Sequence, residues 1–298
     1  MYMRSFPIQY HEPLFRPPSE ANSLILQVTL GCSWNRCTFC EMYTSKSFRP
    51  RPFAEIDAEI KAVARRYRGI RKVFLADGNA LVLSNRRLLP ILASIRRELP
   101  DVERISSYAM PADVLRKSDD ELRELVEAGL TLIYVGVESG NDEVLRRVQK
   151  GQTQAESIEA LQRAGRVGLR RSVMILNGLG GTTLLEQHAI DSAHVLNETQ
   201  PEFAATLVVS FPLGDQRFRA SFGPDWRLPD QRQLFEEVAL LLANCQLERT
   251  EFRSNHASNY LVLKGTLNRD RNRLLAQVRR AIEAPDQVPL RPEWARGL

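Results

Sequence analysis

Between Leu24 and Ser210, six short apolar runs alternate with amphipathic stretches, and no hairpin signal separates them. The runs are Leu24–Leu30, Lys72–Ala76, Arg104–Ala109, Leu132–Val137, Arg171–Leu176 and Phe203–Ser210. Apolar residues at helical spacing fill the intervals, as with Ile56, Ile60 and Val63 or Leu88, Leu92 and Ile95. Strands separated by helices call for parallel pairing through crossovers. The expected class is therefore α/β. Six units fall short of the eight that close a barrel, so we expect a partial (β/α)6 TIM-type barrel over residues 24–214. Residues 1–23, rich in proline and without periodicity, read as an irregular N-terminal arm. Residues 215–298 read as a mostly helical C-terminal extension that covers the barrel opening.

In such barrels the chemistry sits at the C-terminal strand ends. Each expected strand from the second onward, the third excepted, runs into a polar or glycine-rich stretch there: Asp77-Gly78-Asn79-Ala80, Glu138-Ser139-Gly140, Asn177-Gly178-Leu179-Gly180-Gly181 and Pro212-Leu213-Gly214. The first strand delivers Gly31-Cys32-Ser33-Trp34-Asn35-Arg36-Cys37-Thr38-Phe39-Cys40, with three of the chain's four cysteines. Zinc would want a fourth ligand; the other candidates, Cys245, His11, His188, His194 and His256, all lie far off in the chain. A disulfide leaves one thiol over. A four-iron cluster on three thiolates fits better, since one iron stays open for a ligand. A structural metal knuckle is the alternative. Cys245 lies in an apolar helical stretch and reads as a buried core thiol.

This loop resembles that of the radical S-adenosylmethionine (radical SAM) superfamily. Thr38-Phe39 before Cys40 fits the common signature, whereas four residues between Cys32 and Cys37 make one more than usual, as in a branch of the superfamily. The resemblance implies that Cys32, Cys37 and Cys40 hold a [4Fe–4S] cluster and that SAM binds its open iron. It implies reductive SAM cleavage to a 5′-deoxyadenosyl radical that takes hydrogen from a substrate. It further implies SAM contacts at Phe39, at Asp77, Gly78 and Asn79, at Glu138 and Ser139, at Asn177 and at Leu213, with Glu186 and His188 as further candidates after the fifth strand. The same branch shares an Ala-Asp-Gly-Asp-Ala-Leu stretch, from which Asn79 departs, and a His-Ala-Ser-Asn-Tyr-Leu stretch, present here as His256–Leu261. His256 is the candidate for reading the substrate or moving protons, with Asn255, Asn259 and Tyr260 in support; a purely structural turn is the alternative. The resemblance runs from about Leu24 to the final helix.

The net charge of +5 comes mostly from arginine. The arginine clusters lie beside acids without interleaved aromatics, which favours a small-molecule substrate over nucleic acid. RNA modification by the same cofactors is the rival enzyme reading, and an iron–sulfur or zinc interaction module the non-enzyme one. An electron donor such as flavodoxin or ferredoxin is an expected partner. No apolar run reaches the roughly 18 residues of a membrane span, and no signal-peptide core opens the chain. The expected location is the cytoplasm, whose reducing conditions suit free thiols.

Overall fold

The computed structural model describes residues 6–297. The chain forms two compact units. The first comprises the described residues up to Asn35, then Met42–Val135 and Arg163–Arg170; the second comprises Arg36–Glu41, Gly136–Gln162 and the chain from Arg171 onward.

The first unit holds β1 (Leu24–Gln27), β2 (Lys72–Ala76), β3 (Arg104–Ala109) and most of β4 (Leu130–Glu138). These pair in parallel in chain order, with Ile25 beside Phe74, Phe74 beside Ser106 and Tyr108 beside Tyr134. Their helices are α1 (Phe53–Arg66), α2 (Asn85–Glu98), α3 (Pro111–Leu115) and α4 (Asp119–Glu127). Ile56, Ile60 and Val63 of α1 are fully buried, and α1 packs on α2. The helical run after β3 breaks where the sequence suggests: Ser118 Oγ accepts from Glu121 N at 3.1 Å, and Glu121 Oε2 accepts from Ser118 N at 2.8 Å. This reciprocal capping box starts α4.

The second unit continues with α5 (Asp142–Arg147), α6 (Gln154–Arg166, whose last turn belongs to the first unit), β5 (Arg170–Asn177), α7 (Leu185–Thr199) and β6 (Phe203–Val208). Then follow α8 (Gln216–Phe222), α9 (Gln231–Asn244), β7 (Thr250–Ser254), β8 (Leu263–Leu267) and α10 (Arg271–Glu283). β5 pairs in parallel with β6, β6 in parallel with β7, and β7 antiparallel with β8. The α/β class is as expected, with parallel strands linked by helices, but among the described residues β7 adds a seventh parallel strand and β8 an antiparallel one beside it. The extra two come from the stretch after residue 214, read from the sequence as mostly helical. Thr250-Glu251-Phe252-Arg253-Ser254 does alternate, with Thr250, Phe252 and Ser254 buried. Its other face carries Glu251 and Arg253, which pair at 2.6 Å. That polar face hides the strand from a search for apolar runs.

The second unit's core beside α8 is aromatic. Phe218, Phe222 and Trp226 are buried together with Val144, Val148, Leu179 and Val209, and Phe39 packs against them. Cys245 caps α9 and is buried, and burial pushes its thiol up to about 12. No helix among the described residues is long and apolar enough to cross a membrane.

Candidate functional site

The cysteine loop begins with a short antiparallel ladder, Thr29–Leu30 against Arg49–Pro50, which closes its base. Gly31 takes φ +71° at the exit of this ladder, a conformation that glycine adopts without strain. The extra residue between the first two cysteines is absorbed by Asn35, which sits at φ +46° and donates its amide to the Tyr43 carbonyl at 3.0 Å. Asparagine tolerates this left-handed region better than most residues. Cys32, Cys37 and Cys40 are each half-buried.

In the first unit the end of β2 is fastened to the start of this loop. Asp77 is fully buried, and its Oδ2 accepts from Gly31 N at 3.2 Å and from Lys46 Nζ at 2.9 Å. Lys46 also donates to the carbonyls of His11 and Pro13. Asn79 Oδ1 accepts from Ser33 N at 3.0 Å, and its Nδ2 donates to Ser33 Oγ and to Asp113 Oδ2, both at 2.8 Å. Burial raises the Asp113 carboxyl above its ordinary value, while its bonds from Met110 N and Asn79 act the other way. Gly78 lies against Cys32 so closely that a Cβ would stand 2.5 Å from the Cys32 Cα. Any side chain at 78 would push the first cysteine away. The side chains of Asp77 and Asn79 are thus engaged with protein groups, and they set the path of the loop.

In the second unit the loop continues as Arg36–Glu41. Thr38 N donates to the Val148 carbonyl at 3.0 Å, and Cys40 N to the Cys37 carbonyl at 3.2 Å. The Lys150 ammonium stands 5.9 Å from the Phe39 ring centroid and 3.3 Å from Glu138 Oε1. Glu138 closes β4 at φ +67°, a costly position for a residue with a Cβ. Its carboxylate folds back over Gly136, where a Cβ would stand 2.0 Å from Oε1. Glycine at 136 is what leaves room for the carboxylate. Ser139 is buried, and its hydroxyl accepts from Asn141 N at 2.9 Å.

Behind Glu138 lies a buried pair. His188 Nε2 is 3.3 Å from the Glu138 carbonyl oxygen, and His188 Nδ1 is 2.7 Å from Glu237 Oε1. The second contact is short but poorly aligned for a hydrogen bond. Glu237 Oε2 accepts from Gly178 N at 2.7 Å. The pair therefore ties the end of β4 to the turn after β5. Glu186 is exposed on the first turn of α7, whereas Leu213, 74% exposed, donates its N–H to Glu41 Oε2.

Two strand-end residues have unmet hydrogen bonds. Asn177 is 1% exposed, and neither its Oδ1 nor its Nδ2 has a partner among the described residues; the same is true of Ser210 Oγ. They lie just at or beyond the ends of adjacent strands, with Asn177 opposite Val208. Buried polar groups seldom go unpaired, so a polar ligand at these strand ends fits them. Ser210 carried no sequence signal beyond its place at the end of a run.

The segment after β7 is held from within and from the C-terminal tail. Asn259 Nδ2 donates to the Thr206 carbonyl at 2.7 Å, and Tyr260 Oη to Glu293 Oε2 at 2.7 Å. Arg291 Nη1 donates to the carbonyls of His256, Ala257 and Asn259. Ser258 N donates to His256 Nδ1 at 3.1 Å. A backbone N–H can only donate, so Nδ1 is the accepting nitrogen and the proton of the neutral ring sits on Nε2. Burial, and then the Arg291 charge, hold this imidazole below its ordinary 6.5. Asn255 is exposed beside it.

Among the described residues no three His, Cys, Asp or Glu side chains converge as ligands of a single ion would. A four-iron cluster asks less of them, because each thiolate takes its own iron.

The family model described as the Radical SAM superfamily matches residues 26–193. The chain is 27% identical over 126 residues to the heme chaperone HemW of Bacillus subtilis, covering 42% of this chain and 33% of that protein. It is 29% identical over 189 residues to the tRNA-2-methylthio-N(6)-dimethylallyladenosine synthase of Halorhodospira halophila, covering 60% of this chain and 39% of that one. It thus spans well under half the length of these relatives. Among solved structures, coproporphyrinogen III oxidase (HemN) from Escherichia coli superposes with a TM-score of 0.57 at 18% identity, over 74% of this chain and 51% of that one. Methylornithine synthase (PylB) gives 0.53 at 16% identity, over 76% and 63%. These likenesses show the shared fold.

Proposed function

The chain belongs to the radical SAM superfamily, and from that premise we propose an enzyme that cleaves SAM reductively and uses the resulting radical on a small-molecule substrate. Bound at this site, a [4Fe–4S] cluster and SAM would supply the family's chemistry, the one-electron reductive cleavage of SAM that generates a hydrogen-abstracting radical. The observation that carries the reading is the cysteine loop itself, with three half-buried cysteines and Gly78 packed on Cys32.

In this reading Cys32, Cys37 and Cys40 are the cluster ligands. The buried bonds of Asp77 and Asn79 fix the loop, so that the backbone at Gly78 and not those side chains meets the ligand. Glu138 presents a carboxylate acceptor to the SAM ammonium or ribose hydroxyls, with Lys150 beside it to balance charge. Asn177 and Ser210 offer donors and acceptors that lack partners. Phe39, Ser139 and Leu213 remain proposed contacts on the cofactor side.

For the substrate we propose His256, whose Nε2–H is a donor without a protein partner among the described residues. Asn259 and Tyr260 support it by holding the segment, and Asn255 flanks it. A one-electron donor of the flavodoxin or ferredoxin type and a cytoplasmic setting complete the proposal. The tRNA-modifying relative keeps an RNA substrate as the alternative to be separated by test.

The test incubates reduced, cluster-loaded enzyme with SAM and fractionated cell extract and follows which compound disappears. A small-molecule fraction is expected to be consumed. Consumption confined to the RNA fraction would favour the alternative. His256→Asn is expected to lower substrate turnover at least about tenfold, about 1.4 kcal/mol of transition-state binding, with slow uncoupled SAM cleavage retained. Normal turnover in that variant would remove His256 from the site. The depressed imidazole also gives a sign for stability. The unfolded chain takes up a proton near 6.5 before the folded one does, so the contribution of His256 is present above that value and is lost as pH falls below it. Denaturation of the wild type against His256→Asn from pH 7 to 5 measures this, and the gap between them should change in that direction.

A further inference from the structure

We propose that Arg217, on α8, is a positioning residue for the cluster, holding its second and third cysteines and raising its reduction potential. The inference rests on the reading of Cys37 and Cys40 as ligands and goes beyond it, because Arg217 lies outside the matched family region, which ends at residue 193.

The guanidinium meets three carbonyls of one turn. Nη2 donates to the Cys37 carbonyl at 2.7 Å and to the Cys40 carbonyl, and Nε donates to the Thr38 carbonyl at 3.3 Å. The planar fork of arginine suits several acceptors at once, which a lysine ammonium on a flexible stem does less well. The helix that carries it is anchored. Phe218 is fully buried and stacks on Phe222 at 5.3 Å between ring centroids, and both pack against Trp226 and Val148. The carbonyl of the same Val148 accepts from Thr38 N. The turn from Cys37 to Cys40 is thus held on one side by Val148 and on another by Arg217. Leu213 N adds a bond to Glu41 just beyond it.

Two consequences follow from this placement. The three carbonyls are fixed, so the turn that carries two ligands loses freedom to open. A permanent positive charge also stands beside the residues that bear two thiolates. Uptake of one electron makes a cluster more negative, and net charge nearby is one of the determinants of its potential. The cation therefore favours the reduced form.

The test compares wild type, Arg217→Gln and Arg217→Lys after anaerobic reconstitution. It reads the midpoint potential by dithionite titration followed by electron paramagnetic resonance, and the rate of iron release to a chelator. Arg217→Gln is expected to load iron, to show a more negative midpoint and to release iron several-fold faster. Arg217→Lys is expected to keep a midpoint near that of the wild type, since the charge remains, but to release iron faster than wild type because the fork is gone. Should Arg217→Gln fail to fold, the lysine variant alone decides, and a release rate equal to wild type overturns the proposal. Midpoints and release rates unchanged in both variants overturn it while leaving the cluster reading intact. A wild-type protein that takes up no iron overturns the cluster reading and this inference with it.

Discussion

Anaerobic reconstitution of the wild-type chain is expected to give about four irons per chain, the content of one [4Fe–4S] cluster. Cys32→Ala, Cys37→Ala and Cys40→Ala are each expected to lose most of that iron. Cys245→Ala should keep it. The contrast follows from the environments. The three loop cysteines are half-buried, whereas Cys245 is buried with its thiol pushed up to about 12. A thiol held protonated in an apolar site is not a metal ligand. The cost of Cys245→Ala should instead be stability, about 1 kcal/mol for a small buried truncation. Iron analysis with the visible spectrum of each variant decides this. Stoichiometric zinc with no iron would contradict the assignment, as would loss of iron in Cys245→Ala.

The second large effect is expected behind Glu138. Glu237→Leu deletes the acceptor of the Gly178 N–H and leaves His188 without its carboxylate neighbour. Breaking one side of a buried pair costs roughly 3–5 kcal/mol, whereas replacing both sides with apolar groups costs much less. We expect about 3 kcal/mol for Glu237→Leu, at the low end because the His188–Glu237 contact is poorly aligned. The double variant His188→Leu with Glu237→Leu should recover part of this loss, a non-additivity of about 1 kcal/mol or more. Urea denaturation of the two single variants and the double variant completes the cycle. Single losses within about 0.5 kcal/mol, the range of ordinary surface changes, would mean that the pair holds nothing together.

The six strands that were legible owe their legibility to one thing. Most are apolar runs opened or closed by glycine, proline or a polar turn, as in Lys72–Ala76 before Asp77-Gly78. β7 was not legible because Glu251 and Arg253 occupy one of its faces and neutralise each other there. α8 was missed for a related reason: its apolar residues Phe218 and Phe222 form a single turn of pattern inside a stretch flanked by glycine and proline.

The strand-end motifs do stand at the ends of their strands, but the sequence does not show what each side chain there bonds to. Asp77 and Asn79 looked like ligand contacts. Their partners Lys46, Ser33 and Asp113 lie 31 to 46 residues away in the chain, so only folding reveals that these polar groups are already engaged. His188 stood as a candidate near the site, yet Glu237, 49 positions further on, is what defines its environment. Arg217 gave no signal at all, since a lone arginine in a loop-like stretch is ordinary. The capping box at Ser118 and Glu121 was fully readable because both partners lie within one turn.

The most direct measurement of the central claim is 5′-deoxyadenosine release from SAM by the reconstituted, dithionite-reduced chain. Wild type is expected to release it even without substrate, slowly. Glu138→Ala, with its iron content unchanged, is expected to require at least about tenfold more SAM, the loss of one charge-assisted contact of about 1.5 kcal/mol. Cys32→Ala, Cys37→Ala and Cys40→Ala should release none. An iron-loaded, reduced wild-type protein that leaves SAM intact, or cysteine variants that cleave it as well as wild type does, would contradict the account.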